Sequence, residues 1–213
     1  MREIHLQQIA PSEIEARSMA IIEQEMGPHR FMEEQLPIVK RCIHTSADFD
    51  YVQNLFFTPD AVTAGLAAIR EGCTIVTDTE MARSGVNKRV LGAFGGSAVC
   101  FIGEPEVARE AKERGVTRAL VSMERAAKLK GPVVLAIGNA PTALVRACEL
   151  MESGDFAPAL VIGVPVGFVN VVESKELLRT MRCPHIAAMG RKGGSNVAAA
   201  ICNALLYRAE REN

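Results

Sequence analysis

Short apolar runs alternate with longer stretches of helical pattern along this chain of 213 residues. Residues 133–137, 159–162 and 185–189 are such runs, and they are rich in Val, Ile, Leu and Ala. A turn containing glycine follows each run, and a stretch of helical length follows the turn. This alternation is typical of consecutive βα units. It predicts an α/β fold with a mostly parallel sheet and helices on both faces, in three layers, with residues 1–213 as a single domain.

Glycine and proline mark the ends of the predicted elements. Ser12 and Glu15 have the spacing of a capping box at the first helix, and Gly27 ends that helix. A second helical stretch covers residues 31–46 and contains Pro37, which either kinks it or begins a new helix. The sequence leaves both alternatives open. The remaining predicted elements are strands at 73–77 and 97–102 and helices at 59–72, 105–115, 117–130, 142–153, 171–181 and 196–208.

The turns that follow the predicted strands carry glycines and polar residues. The carboxyl ends of parallel strands lie on one edge of the sheet, and ligands of open α/β sheets bind outside that edge. The turns at 77–78, 138–139, 163–167 and 190–195 should therefore converge on one place. The last turn adds two cations to a helix N-terminus, which suits a carboxylate or a phosphate. A tight turn with two solvated charges is the alternative interpretation.

The composition gives no sign of a nucleic-acid or membrane partner. Lys and Arg number 24 and Asp and Glu number 25, so a net charge of -1 gives no overall attraction to nucleic acid or to an anionic membrane. The sequence has no signal-peptide pattern and no apolar run near the ~20 residues of a membrane span. We therefore expect a cytoplasmic protein. Its six cysteines lack the spacing of metal or redox motifs and are expected to be reduced, buried thiols.

The motifs that hold common cofactors and metals are absent from the sequence. No Gly-x-Gly-x-x-Gly follows a predicted strand, and no Gly-x4-Gly-Lys-Ser/Thr loop is present. A His-Glu-x-x-His pair, other metal-ligand spacing and a Ser/His/Asp arrangement are also missing. We therefore expect a site without metal or cofactor, which uses general acid–base chemistry and positioning.

His44 is the strongest candidate for acid–base chemistry. Lys40 and Arg41 precede it by four and three residues, so a helix brings the three side chains to one face. Imidazole exchanges a proton near neutral pH, which suits a general acid or base. A helix-end histidine beside two solvated cations is the alternative interpretation. The other histidines are interpreted as two surface residues and one packed or capping residue, namely His5, His29 and His185.

Six segments in order along the chain carry a family resemblance. They are residues 15–18, 41–44, 78–81 with 85–86, 136–144, 164–169 with 173–175, and 190–195. Together they resemble the precorrin-8X and cobalt-precorrin-8 methylmutases. The segments span nearly the whole chain, and those at 138–144 and 165–175 are specific.

The resemblance implies an enzyme that moves a methyl group between adjacent carbons of ring C of a corrin precursor. The product is hydrogenobyrinic acid, or cobyrinic acid for the cobalt form. The resemblance further implies no cofactor, a homodimer and a tetrapyrrole substrate. The family's catalytic histidine matches His44, its substrate-contacting serine and arginine match Ser18 and Arg41, and a looser match gives Arg118. Further substrate-binding residues are expected at Arg17, Asp78, Asn139, Thr142, Arg191, Lys192, Gly193, Gly194 and Ser195.

Two other functions remain open at this point. An α/β enzyme for a phosphorylated metabolite would use residues 190–195 as its phosphate loop. A tetrapyrrole carrier would hold the same ligand without turning it over. The sequence also leaves open whether the substrate contains cobalt and whether a partner subunit contributes to the site.

Overall fold

The computed structural model describes residues 8–213, so His5 lies outside the described residues. Within this range the strands are β1 (Leu55–Phe57), β2 (Thr74–Thr77), β3 (Ser97–Val99), β4 (Val133–Ile137), β5 (Leu160–Gly163) and β6 (His185–Ala188). The helices are α1 (Ile14–Glu25), α2 (Leu36–Ser46), α3 (Tyr51–Asn54), α4 (Ala61–Arg70), α5 (Glu80–Gly85), α6 (Lys88–Ala93), α7 (Pro105–Arg114), α8 (Arg118–Ala126), α9 (Pro141–Glu152), α10 (Val171–Thr180) and α11 (Ser195–Arg211).

The strands form one sheet in the order β1-β6-β5-β4-β2-β3. Neighbouring strands from β6 to β3 pair in parallel, and β1 pairs antiparallel with β6 at the edge. The predicted mostly parallel sheet is confirmed. β1 was not predicted, because three residues directly after a helix are too few for the alternation that identifies a strand. Its pairing with β6, which sets Phe56 opposite Ala187, makes it a strand.

Helices cover both faces of the sheet, which confirms the predicted three layers. One apolar core joins one face of the sheet to α2, α4, α6 and α11, and a second joins the other face to α8, α9 and α10. All five residues of the central strand β4 are buried, as expected for a parallel strand covered on both sides. No helix within residues 8–213 is long and apolar enough to cross a membrane.

Pro37 begins α2 and does not kink it. It lies in the first turn, where a backbone N–H has no partner within the helix, so the missing proline N–H costs no hydrogen bond. The helix ends at Ala47, which adopts φ 53° and donates its N–H to the carbonyl of Ile43. His44 therefore occupies the last turn of α2, and Arg41 lies almost one turn before it on the same side.

The capping box predicted at the first helix is wrong. Residues Pro11–Glu13 form a short 3-10 turn, and Glu13 precedes α1 without a side-chain cap. Ser12 therefore lies inside that turn and not at the N-cap. Side-chain caps are formed elsewhere, where Thr79 accepts from the N–H of Ala82 and Thr117 accepts from the N–H of Leu120.

Candidate active site

Three of the turns at the carboxyl edge of the sheet pack backbone against backbone. The N–H of Gly194 donates to the carbonyl of Val164 at 2.9 Å, and the N–H of Val166 donates to the carbonyl of Gly138 at 3.3 Å. A Cβ atom at Gly138 would lie 2.7 Å from the carbonyl oxygen of Gly194. A Cβ at Gly193 would lie 2.1 Å from the carbonyl oxygen of Val164. The predicted convergence of these turns is confirmed, and glycine permits it.

Asp78 ties the end of β2 to the turn after β4. Its carboxylate accepts from the N–H groups of Gly138, Asn139 and Ala140, at 2.9, 2.7 and 2.6 Å. The residue is 1% exposed. Burial raises the pKa of Asp78, and the three backbone hydrogen bonds oppose that shift. The N-terminus of α9 is thus already held by a carboxylate of the protein, and the side chain of Asn139 remains exposed.

A buried lysine of α10 holds the turn at 190–195 from the core side. The ammonium of Lys175 donates to the carbonyls of Gly190 and Lys192, each at 2.8 Å. Lys175 belongs to α10 and is fully buried. Burial lowers the pKa of Lys175 to about 8. At the end of the turn, the hydroxyls of Ser195 and Thr79 share a hydrogen bond of 2.7 Å, which joins the N-termini of α11 and α5.

The two cations of this turn differ in their surroundings. Lys192 contacts the carboxylates of Asp48 and Asp50 at 2.6 and 2.5 Å. Hydrogen bonds to these two groups raise the pKa of Lys192 to about 12. Arg191 is exposed and places its guanidinium 5.4 Å from the ring centroid of Phe168. Arg191 is therefore better placed than Lys192 to meet an incoming anion.

His44 lies on a cavity of about 270 Å³ between α2 and α11. The side chain of His44 is exposed, as is that of Thr45 beside it. The lining residues come from the end of α2, from Gly85 and from one face of α11, and they are Arg41, His44, Thr45, Gly85, Asn196, Ala199, Ala200, Asn203 and Tyr207. An imidazole and a guanidinium therefore share a concave site open to solvent.

Arg41 separates this cavity from a second one of about 450 Å³ that it also lines. Its guanidinium lies 5.0 Å from the ring centroid of Tyr207 and forms an ion pair with Glu15 of α1. Lys40 pairs with Glu23 of the same helix at 2.9 Å. These two ion pairs hold α1 against α2.

Ser18 and Arg17, the predicted substrate contacts of the first segment, also belong to α1. The Ser18 hydroxyl donates to the carbonyl of Ile14 at 2.9 Å, within its own helix. The side chain of Arg17 is exposed. Glu15 of this helix binds Arg41, so α1 borders the arginine side of the His44 region.

Three contacts join the end of α2 and the residues after it to the segment that follows β6. Lys192 binds Asp48 and Asp50, which follow α2, and the amide of Asn196 donates to the carbonyl of Thr45 at 3.4 Å. The cavity beside His44 therefore adjoins the carboxyl edge of the sheet. The structure brings together Arg41, His44, Lys192 and Ser195 in one region of the surface.

Arg118 and Thr142 lie elsewhere. They begin α8 and α9, on the face of the sheet opposite to α2. Thr142 shares a hydrogen bond of 2.9 Å with Thr117, and Arg118 donates to the carbonyl of Ile102 at 3.4 Å. The helices that carry these two residues thus pack on the other face of the sheet from the helix that carries His44.

Three polar residues of α11 line the cavity and were not predicted. Asn196, Asn203 and Tyr207 are seven and four positions apart, which places them on one face of a helix. Polar residues at this spacing inside an otherwise apolar C-terminal helix are the signal that identifies such a face. Asn203 also binds the N–H of Asn87 and the carbonyl of Gly85, so it orders the segment that closes the cavity.

The chemistry available at the site is proton transfer and binding of anions. Imidazole supplies the proton donor or acceptor, and arginine and backbone N–H groups supply sites for carboxylates. No group of three or more His, Cys, Asp or Glu side chains within residues 8–213 is arranged to hold a metal ion. The fold and site define an α/β enzyme with a histidine and an arginine at a cavity beside the carboxyl edge of its sheet.

Comparison with known proteins identifies the family. The family model for precorrin-8X methylmutase matches residues 13–208. The chain is 48% identical over 205 residues to the cobalt-precorrin-8 methylmutase of Salmonella typhimurium, covering 92% of this chain and 95% of that protein. It is 45% identical over 202 residues to the cobalt-precorrin-8 methylmutase of Priestia megaterium, covering 95% and 90%.

A solved structure agrees with these sequence matches. The structure of precorrin-8x methyl mutase from Thermus thermophilus has a TM-score of 0.86 at 39% identity, and the match covers 94% of this chain and 98% of that one. The chain belongs to the precorrin-8X methylmutase family. The protein is an isomerase of α/β fold, of the kind that moves a methyl group within one molecule.

Proposed function

We propose that the protein moves a methyl group within ring C of precorrin-8X or cobalt-precorrin-8, to give hydrogenobyrinic acid or cobyrinic acid. The observation that carries the proposal is the cavity of about 270 Å³ on which His44 and Arg41 lie together, in a chain that matches this family almost from end to end. The two relatives with 48% and 45% identity are both named for the cobalt form, which favours cobalt-precorrin-8.

His44 is proposed to donate a proton to the ring C nitrogen and to accept it back after the methyl group has moved. The methyl group leaves one ring carbon and bonds to its neighbour, so the rearrangement is intramolecular and requires no nucleophile from the protein. Protonation withdraws electrons from ring C and lowers the barrier, and the atoms of substrate and product are the same. A positioned acid of this kind contributes ~10²–10⁴-fold to the rate. Holding the ring in one geometry contributes further.

The many carboxylate arms of the substrate require several separate anion sites. Arg41 offers a planar guanidinium beside His44, and a substrate carboxylate is proposed to take the place of Glu15 on it. Arg191 and the N-terminus of α11 offer a second site at the turn 190–195. Asp78 is proposed to support substrate binding indirectly, because its carboxylate holds the turn that contains Asn139.

A homodimer is proposed as the functional unit. Phe168 and Val169 are 83% and 76% exposed in the turn after β5, beside Arg191, and such apolar exposure suits contact with a second copy. Arg118 and Thr142 begin helices on the other face of the sheet from α2, and they are proposed to act on the substrate bound by a second copy. Size-exclusion chromatography with light scattering tests this, since a monomer at working concentration would contradict it.

Incubation of the purified protein with cobalt-precorrin-8 or precorrin-8X, followed by absorption spectroscopy, tests the function. We expect the spectrum of the fully conjugated product, and we expect His44→Ala to abolish its formation while substrate binding persists. His29→Ala is the matched control, because His29 is exposed and outside the cavity. Near-normal turnover by His44→Ala would contradict the role of His44. Binding without any spectral change in the wild type would indicate a carrier.

A further inference from the structure

Lys175 is a buried cation without a carboxylate partner among residues 8–213. It is 0% exposed, and desolvation by burial accounts for its lowered pKa, with no neighbouring charge contributing. Burying an ammonium without a counterion is costly, so proteins retain one where its hydrogen bonds serve a purpose. Both hydrogen bonds of Lys175 go to backbone carbonyls of the turn after β6, namely those of Gly190 and Lys192.

These two hydrogen bonds determine where the opposite side of the turn points. A trans peptide unit is planar and directs its C=O and N–H in opposite directions. Because Lys175 holds the carbonyls of Gly190 and Lys192 inward, the N–H groups of Arg191 and Gly193 point away from the core. Neither N–H donates to a backbone acceptor within the described part of the chain. Gly193 is also confined by the carbonyl of Val164, which its absent Cβ would strike.

We propose that Lys175 is a positioning residue, which aims the N–H groups of Arg191 and Gly193 at one carboxylate arm of the corrin substrate. Successive N–H groups of a turn form a concave anion site of the kind that proteins use for carboxylates and phosphates. The guanidinium of Arg191, over Phe168, belongs to the same turn and offers a charged donor. The inference rests on the proposed function, because it names a binding site for that substrate.

The role of Lys175 is tested by comparing how three forms of the protein bind an acidic ligand and its amidated analogue. The wild type, Lys175→Met and Ser174→Ala are titrated with cobyrinic acid and with an analogue whose peripheral carboxylates are amidated. Ser174 is the matched control, since it is a fully buried polar residue of the same helix whose hydroxyl returns to its own helix at the carbonyl of Val171. We expect Lys175→Met to bind the acid about tenfold more weakly, the size of one charge-assisted hydrogen bond, and the amide with little change. Ser174→Ala should behave like the wild type.

A second measurement uses the wild type alone and decides the question if Lys175→Met does not fold. Amide hydrogen exchange, followed by NMR, should slow at residues 191 and 193 when cobyrinic acid binds. The inference is overturned if these amides gain no protection on binding. It is also overturned if folded Lys175→Met keeps the wild-type preference for acid over amide, or if Ser174→Ala loses that preference equally.

The same experiment separates this inference from the proposed function. Wild-type protein that binds cobyrinic acid but does not convert cobalt-precorrin-8 would overturn the proposed function and leave the measurement on Lys175 valid. Wild-type protein that binds no cobyrinic acid would overturn both.

Discussion

The guanidinium of Arg41 lies 5.0 Å from the ring centroid of Tyr207, and this contact joins α2 to α11 between two cavities. The ring supports the arginine from one side, and Glu15 of α1 neutralises it. A cation over an aromatic face is attracted to the ring quadrupole, so Tyr207 helps to fix the position of the guanidinium. Arg41 is thus held in place beside His44, in the cavity that both side chains line.

Arg41→Lys is expected to weaken substrate binding. Lysine retains the charge but loses the planar guanidinium over the Tyr207 ring and its two parallel N–H donors. We expect KM to rise about tenfold, as for the loss of one charge-assisted hydrogen bond, with a smaller change in kcat. Steady-state kinetics with cobalt-precorrin-8 measures both parameters. Arg109→Ala, at an exposed arginine of α7, serves as the control, and an unchanged KM for Arg41→Lys would make Arg41 a surface cation only.

Asp78→Asn is expected to destabilise the fold. The carboxylate accepts three backbone N–H groups while nearly fully buried, and an amide brings a donor among these donors. Hydrogen bonds to charged groups are worth about 1.5–3 kcal/mol each, and some water or relaxation offsets the loss, so we expect about 2–4 kcal/mol in the free energy of unfolding. Urea denaturation measures it, with Asp155→Asn at an exposed turn as the control. A loss below that of Asp155→Asn would contradict the assignment.

His185 should make the protein sensitive to mild acid. Its Nδ1 lies 2.9 Å from the carbonyl of Cys183 and must therefore carry the proton, while Nε2 is buried without a partner. Burial lowers the pKa of His185 below its ordinary 6.5, against the opposing influence of the Cys183 carbonyl and of Asp60. As pH falls below 6.5, the unfolded chain takes up the proton first, so this contribution to stability is complete above 6.5 and is lost as the solution is acidified.

His185→Phe should remove that part of the pH dependence. The side chain stacks on Phe56 with ring centroids 5.5 Å apart, and phenylalanine retains this contact. Denaturation midpoints of the wild type and the variant, measured at several pH values from about 7.5 down to 5, give the two slopes. Equal slopes would show that His185 does not titrate differently in the folded and unfolded chain. His29→Phe controls for the loss of an exposed histidine.

Gly193→Ala is expected to disrupt the turn and to impair substrate binding. Gly193 adopts φ 156°, and an added Cβ would lie 2.1 Å from a backbone carbonyl that cannot move freely. Strain of this kind costs of order 1–3 kcal/mol, and more where backbone must shift. Gly92→Ala is the matched control, because it has no neighbour within 4 Å of the added Cβ. Thermal unfolding and substrate affinity of both variants check the prediction, and equal behaviour would contradict it.

Local residue patterns predicted most of the longer elements, although the strand predicted at 97–102 ends at Val99 and the helix predicted at 117–130 ends at Ala126. Strand β4 and the helix ends at Gly72 and Gly115 depend on apolar runs and on glycines at positive φ, which neighbouring residues suffice to indicate. The sequence left Pro37 with two alternatives, since a kink and a helix start use the same fixed φ. The structure shows the second, since Pro37 lies in the first turn of α2. The short strand β1 lay below the length at which a pattern exists.

The sequence by itself determined the longer strands and helices, the turns that meet at one edge of the sheet and the position of His44 on α2 beside Arg41, but not β1 or the short helices α3, α5 and α6. The tertiary structure decided which partner each polar side chain binds. Asp78 accepts from the turn after β4, Lys175 donates to the turn after β6, and Lys192 binds Asp50, 142 positions away. It also placed Arg118 on the far face of the sheet. The reason is physical, because periodicity and chain-breaking residues act over a few positions, whereas desolvated polar groups are satisfied by whichever partner the packed core brings within reach.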